Sequence, residues 1–406
     1  MIFSKPRYAT VISALCIFAL IKGKSMMCHG FSDTQIHQVI SPSSDNNNND
    51  VAHQRLSSRR HLTFLSAQVD INQDIDDEML SKREALLQRN KGSSERLVEW
   101  ALLSTNNESE TPNDEPPPVT IGSSTIGNGN GIFVNRSFQR NELIMTIPHD
   151  KIISIENAWD DESLGPEFMY LTDVGGPGAK LATLAGFVAK EACGQIDGIF
   201  ERQNDSCKSS NWQEYLDCLP WTDDHPLWWT DGETNRLLKG SSIDEEVIST
   251  RMQVSNAVEN IKGLFLNYYI NRDEINGTAV DMDEQTKARA LEKIEIALRS
   301  AFCMLLSRAF EDEETDCMKL IPLLDMTQHK DEAQENISHS TNPATGDIRV
   351  TAKRDLEAGE ELFNCYSTTL SPAQFLPVFA FVPNDMGLSG QQLLEDKDPI
   401  LFPVQS

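Results

Sequence analysis

The stretch "LIPLLDMTQH", residues 320–329, sets a carboxylate, an amide and an imidazole at the end of an apolar run. Leu320, Ile321, Leu323 and Leu324 read as a short buried strand, and Asp325, Gln328 and His329 follow at once. The residue types alone leave three readings: metal ligands, groups at a catalytic or binding site, or polar residues at a strand end. No second His or Cys sits nearby at a ligand spacing, so no metal is expected. A second stretch, "GNGNG" at 127–131, mimics a nucleotide-binding loop through Gly127, Gly129 and Gly131. β-prone residues follow it where such a loop requires a helix, so a Rossmann or P-loop reading is rejected.

These groups need elements to hold them. Residues 119–148, "VTIGSSTIGNGNGIFVNRSFQRNELIMTIP", read as short strands at 132–134 and 143–147, with a turn at Asn141-Glu142. Residues 155–311 read as largely helical. Ala179 to Ala192 has one apolar face, and Thr230 with Glu233 forms a capping box that opens a helix to about Lys239. Glu284 to Phe310 is the clearest helix, with Leu291, Ile294, Leu298, Ala301, Phe302, Leu305 and Phe310 on one stripe. An acidic loop, "EDEETD" at 311–316, leads into the opening segment. β structure then resumes in "GDIRVTAKRDLEAGEELFNCYS", with Ile348, Val350 and Ala352 inward and a turn at Glu357-Ala358-Gly359. The strand pieces at 119–147 and 316–366 must share one core, which makes the helical stretch an insertion. The class is α+β: short strands carrying a large helical insertion.

The 406 residues include 35 Lys plus Arg against 62 Asp plus Glu, a net charge of −27. That field repels phosphates, so nucleic acid is not expected, and it favours a basic partner. Six of the eight cysteines lie beyond the leader, with no CxxC pair; they read as buried thiols rather than a disulfide framework. Lys5 and Arg7 precede an apolar stretch too short for a membrane span, and Cys28 and Gly30 stand at −3 and −1 of a cut before Phe31. Residues 1–30 therefore read as a signal peptide, with no stable membrane insertion after its removal. The Ser- and Arg-bearing segment 31–67 resembles the second part of a two-part plastid leader. Plain secretion is the alternative, permitted by sequons at Asn107, Asn135, Asn204, Asn276 and Asn336. Residues 68–118 hold a helical pattern from Asp76 to Thr105, broken at 92–94, and the proline-rich linker "NNESETPNDEPPP".

Taken in order, three segments resemble the SET domain of protein methyltransferases, most closely the subgroup typified by the Rubisco large-subunit lysine methyltransferase. "GNGNGIFVNRSFQRNELIMTIP" is similar to the family's Gly-x-Gly strand–turn–strand opening, "LIPLLDMTQH" to its cofactor motif, and "VTAKRDLEAGEELFNCYS" to the stretch ending in its active-site Tyr. "NWQEYLDCLPWTDDHPLWWTDGETNRLLKGSS" and "RSAFCMLLSRAF" resemble parts of the subgroup's helical insert. The resemblance implies a SET-type β-fold with its N-terminal part at 119–154, the insert at 155–315, the C-terminal part at 316–383 and a tail at 384–406. Four departures stand out. Gln328 replaces the usual Asn, Ser367 the usual Gly, and Phe379-Ala380 the usual Tyr-Gly. The chain also ends about 25 residues beyond that pair, so the subgroup's C-terminal helical substrate-binding domain is expected to be missing.

The family's chemistry is methyl transfer from S-adenosylmethionine (AdoMet) to a lysine of a non-histone protein, an in-line displacement needing neither metal nor covalent intermediate. By resemblance Tyr366 is the catalytic hydroxyl and also touches the cofactor, Arg308 binds the AdoMet carboxylate, and Gly129 and Gly131 allow close backbone approach. Gln328 and His329 would meet the adenine and methionine parts, while Asp325 braces the turn. The plainer readings are a core ring for Tyr366, a helix-end charge for Arg308, an ordinary turn for the glycines and a structural His329. At the level of function the alternative is a catalytically degenerate SET module that binds a protein partner.

Overall fold

The structure is a computed structural model that describes residues 93–102, 116–126, 129–176, 178–192, 210–220, 225–241, 243–275, 284–312 and 314–383. The leader, the helical pattern before residue 93, most of the linker, Gly127 and the tail from 384 lie outside the described residues.

Helix α1 (Ser94–Leu102) buries Leu97, Val98 and Ala101 against the first strands. Strands β1 (Val119–Ser123) and β2 (Asn130–Val134) form an antiparallel hairpin with Val119 opposite Val134. Strand β3 (Leu143–Ile147) follows the expected turn, where Asn141 adopts φ +66°. The insertion then runs through α2 (Ile155–Trp159), α3 (Gly165–Val174), α4 (Ala179–Ala192), α5 (Gln213–Leu216), α6 (Asp231–Leu238), α7 (Ile243–Ile275) and α8 (Glu284–Arg308). After it come β4 (Phe310–Asp312), β5 (Cys317–Lys319), β6 (Gln328–His329), β7 (Ile337–Thr341), β8 (Ile348–Ala352), β9 (Phe363–Asn364) and α9 (Pro372–Phe379).

The expected sharing of one core is realised in a sheet of order β3-β8-β7, in which Ile147 pairs with Ile348 across the whole insertion. Ile348, Val350 and Ala352 point inward and Arg349 outward, as an alternating strand requires. β6 and β9 pair in parallel, so the polar end of "LIPLLDMTQH" runs beside "FNCYS". Among the described residues no helix is long and apolar enough to cross a membrane.

Helix α6 begins as its capping box dictates: Thr230 Oγ1 accepts from the Glu233 amide at 3.0 Å, and Glu233 Oε2 accepts from the Thr230 amide at 2.8 Å. Helix α8 buries Ile294, Leu298, Ala301, Phe302 and Leu305, while Leu291 is half-buried. It stops at Arg308, short of the expected Phe310, because Phe310 pairs with Lys319 in the β4–β5 hairpin. The acidic "loop" is thus partly strand. Asp312 receives Lys319 Nζ at 3.3 Å and the Thr315 hydroxyl at 2.8 Å.

Leu320 to Leu324 correct a second expectation. Leu320, Ile321, Leu323 and Leu324 are all fully buried, yet they are not a strand. Leu320 makes one bridge to Ile153; the chain then turns at Pro322, which has no N–H for a ladder, and Leu323 takes φ +66°. A 3-10 turn, Leu324–Met326, follows. Four described cysteines are free; Cys303 and Cys317 are buried, but Cys218 and Cys365 are only half-buried.

Candidate active site

A cavity of about 610 Å³ opens where the β1–β2 turn, the end of α8, the 325–331 segment, Tyr366 and the chain after α9 converge. That is the size of a small-molecule site. Gly129, Arg308, Asp325, Gln328, His329 and Tyr366 all line it. Gly131 is not on its wall. A Cβ at Gly131 would stand 2.2 Å from Glu361 Oε1, so this glycine makes room for a buried carboxyl. Gly129, at φ +135°, has open space where a Cβ would be and sits in backbone territory that L-residues avoid.

Asp325 is the most enclosed of the group. Its side chain is fully buried and accepts from the Tyr215 hydroxyl at 2.9 Å, while Arg308 Nη1 lies 3.7 Å from the same oxygen. Arg308 Nη1 also donates to the Asp325 main-chain carbonyl at 3.2 Å. Burial pushes the Asp325 carboxyl up to about 6, against the opposing pull of Arg308 and the Tyr215 hydroxyl. Burial likewise holds the Tyr215 phenol well above its ordinary range.

His329 and Tyr366 are joined through the parallel β6–β9 pair. The Tyr366 amide donates to His329 Nδ1 at 3.1 Å, which leaves the proton of the neutral ring on Nε2. Burial lowers the His329 pKa, so the neutral ring is favoured. The Tyr366 hydroxyl donates to the Thr327 carbonyl at 2.6 Å, and burial pushes the phenol up to about 12. Helix α9 supplies the rest of this wall. Its C-cap, Ala380, adopts φ +65°, which swings Phe379 and Phe381 onto Tyr366, with ring centroids 5.1 and 6.2 Å away.

Three polar atoms around the cavity are buried and have no hydrogen-bond partner among the described residues: Arg308 Nε, Asp325 Oδ1 and His329 Nε2. Buried polar atoms of native proteins are nearly always partnered, so this donor–acceptor–donor set at one cavity is open to a polar ligand or water. Gln328 does otherwise: its Nε2 donates to the Asn130 carbonyl at 2.7 Å.

Three residues escaped the sequence reading. Tyr215 is fully buried inside the insertion, and a phenol there needs a partner. Glu361 stands at an inward position between Glu360 and Leu362 and accepts from the Thr125 amide at 2.8 Å and from its hydroxyl. Asn336 belonged to a sequon, yet it is fully buried with its amide bonded to the Glu361 carbonyl and the Phe363 amide. It is no surface acceptor for a glycan. Glu361, Leu362 and Phe363 are all buried in succession, so no strand alternation singled out Glu361, and nothing local pointed to the partners.

The comparisons with known proteins agree with this geometry. The SET domain family profile matches residues 129–367. N-lysine methyltransferase SETD6 of Homo sapiens is 21% identical over 66% of this chain and 51% of its own length. The [fructose-bisphosphate aldolase]-lysine N-methyltransferase, chloroplastic, of Arabidopsis thaliana is 23% identical over 64% of this chain and 47% of its own. The chain thus spans about half the length of these curated relatives. Among solved structures, the SET domain of LSMT bound to lysine and AdoHcy superposes with a TM-score of 0.50 at 17% identity, over 71% of this chain and 57% of that one. That likeness carries the α+β fold with its large helical insertion. Since the profile covers more than half of its 406 residues, the chain belongs to the SET-domain family.

Proposed function

We propose that the protein is an AdoMet-dependent N-methyltransferase that modifies a lysine of a non-histone protein. One observation carries the reading: the cavity holds a fixed tyrosine hydroxyl at one wall and, around it, three buried polar atoms with no partner among the described residues. These atoms fit the cofactor. The amino-acid end of AdoMet bears both an ammonium and a carboxylate, for which Asp325 Oδ1 supplies an acceptor and Arg308 Nε a donor. His329 Nε2 offers a further donor, and Gly129 lets the backbone come close. When bound, AdoMet supplies a methyl group on a positively charged sulfur.

The chain's own residues then have positioning work. The acceptor must be a neutral amine, yet a free lysine has a pKa of about 10.4. The rings of Tyr366, Phe379 and Phe381 pack together on the cavity wall, and desolvation of an amine against them favours its uncharged form. Burial pushes the Tyr366 phenol up to about 12, still further above neutral pH than its ordinary value near 10, so it stays protonated, and its orientation is set by Thr327. It can therefore fix the amine's direction without itself carrying charge. The relatives' names, which specify lysine methyltransferases, support lysine as the acceptor. The net charge of −27 supports a basic context around it.

The address proposed is the plastid, through residues 1–30 and 31–67 with a cut before Phe31; the chloroplastic relative supports it and secretion is the alternative. Methyl transfer from radiolabelled AdoMet to candidate proteins tests the activity. Transfer by the wild-type chain is expected. AdoMet binding without transfer to any candidate would favour a non-catalytic SET module, and neither binding nor transfer would defeat the reading.

A further inference from the structure

The turn joining β1 and β2 forms one wall of the cavity through Ile126, Gly129 and Asn130. Among its described residues, the Ser124 amide donates to the Gly129 carbonyl at 3.0 Å and the Ile126 amide to Ser124 Oγ at 3.2 Å, and Gly129 sits at φ +135°. Two side chains from the other end of the sequence also hold it. Glu361 Oε2 accepts from both the amide and the hydroxyl of Thr125, at the start of the turn. Gln328 donates to the Asn130 carbonyl at its end. Gln328 lies on β6, and Glu361 leads into β9, its parallel neighbour, so both holds come from one two-stranded unit. The glycine at 131 belongs to the same device, since any side chain there would collide with Glu361.

We infer that Glu361 and Gln328 are positioning residues that hold Thr125 and Asn130, and with them Ile126 and Gly129, at the cavity wall and thereby set its affinity for AdoMet, Gln328 acting through Asn130 rather than by direct contact of its amide with the cofactor. The inference rests on the AdoMet reading of the cavity given above. Its physical basis is preorganisation: a turn already held in place loses no freedom when ligand binds, whereas a loose one must be ordered at the expense of affinity.

Two measurements on the full chain test it: calorimetric titration with AdoMet, and hydrogen exchange of amides 124–131 without AdoMet. Glu361→Ala and Gln328→Asn should each weaken AdoMet binding about tenfold, the loss of one or two such bonds. Asn keeps the amide but is shorter by a methylene, about 1.5 Å, and cannot reach Asn130. Both variants should also speed exchange at 124–131 in the absence of ligand, which loss of a direct cofactor contact would not do. Thr125→Val, which removes only the hydroxyl, should weaken binding less, and should add nothing once Glu361 is Ala. If Glu361→Ala does not fold, Thr125→Val and Gln328→Asn decide the matter. Wild-type binding with undiminished affinity or unchanged turn exchange in the folded variants overturns this inference alone. Absence of AdoMet binding by the wild-type chain overturns the reading of the cavity and this inference with it.

Discussion

The Tyr366 hydroxyl donates to the Thr327 carbonyl at 2.6 Å, which ties the end of one motif to the turn of another. Because the Tyr366 amide also bonds His329 Nδ1, the tyrosine is held at both backbone and tip. Such a hydroxyl can direct an incoming amine with little reorganisation, the condition under which a single hydrogen-bonding group matters most.

Tyr366→Phe should therefore lower methyl transfer by about 100-fold or more while leaving AdoMet affinity nearly unchanged. Transfer assays beside calorimetry check it. Undiminished turnover would remove Tyr366 from the reaction.

Asp325 yields a prediction about pH. Its carboxyl is raised by burial to about 6 in the fold, against an ordinary value near 3.8. Between those values the folded chain binds a proton that the unfolded chain has released. The resulting stability is complete below about pH 4 and is lost as pH rises through 6, roughly 3 kcal/mol in all. Asn at this position cannot titrate but can still accept from Tyr215. The stability of wild type relative to Asp325→Asn should thus increase as pH falls from 7 to 4.5, in urea unfolding at each pH. Parallel curves would show that Asp325 does not titrate in this range.

How far the sequence foretold these arrangements depends on the range of the interaction. Alternation made Ile348, Val350 and Ala352 inward, because strand geometry is local. The capping box at Thr230 was legible for the same reason. Burial of Leu320 to Leu324 was also legible, but not their conformation, since Pro322 and the left-handed Leu323 broke a run that looked like a strand. Least legible were the pairings. Tyr215 and Asp325 are 110 residues apart, and Thr125 and Glu361 are 236 apart. Only the folded sheet and insertion bring them together, and no periodicity reports that.

The local rule at Thr230 can be tested in isolation. Thr230→Ala removes the acceptor for the Glu233 amide and should cost about 1 kcal/mol of stability, read from urea unfolding, with AdoMet affinity unchanged. A change below a few tenths would mean that packing of α6, not its cap, decides where the helix starts.

Ala380 is a site of strain. It adopts φ +65°, ψ +15° to end α9, a conformation that costs an L-residue about 1 kcal/mol or more. Glycine takes it freely but adds chain entropy to the unfolded state. Ala380→Gly should therefore raise stability, by about 0.5 kcal/mol, and thermal unfolding measures it. A loss of stability would mean that the alanine methyl packs better than its backbone suffers.

The acidic segment 311–316 bears on substrate choice. It begins three residues beyond Arg308, which lines the cavity, and Glu311, Glu314 and Asp316 are exposed there. Asp312 is different: Lys319 and Thr315 already engage it, so it braces the hairpin. Neutralising Asp312 would confound recognition with folding, and the clean variant is Glu311→Gln with Glu314→Gln. If the exposed acids draw in a basic segment around the target lysine, this variant should raise KM for the protein substrate several-fold while kcat stays the same. The difference from wild type should shrink as salt rises, because exposed charges are screened over about 8 Å at physiological ionic strength. KM for AdoMet should not move. An unchanged KM for the protein substrate, together with a flat salt dependence, would make the hairpin a solvated edge and assign recognition to other surfaces of the insertion.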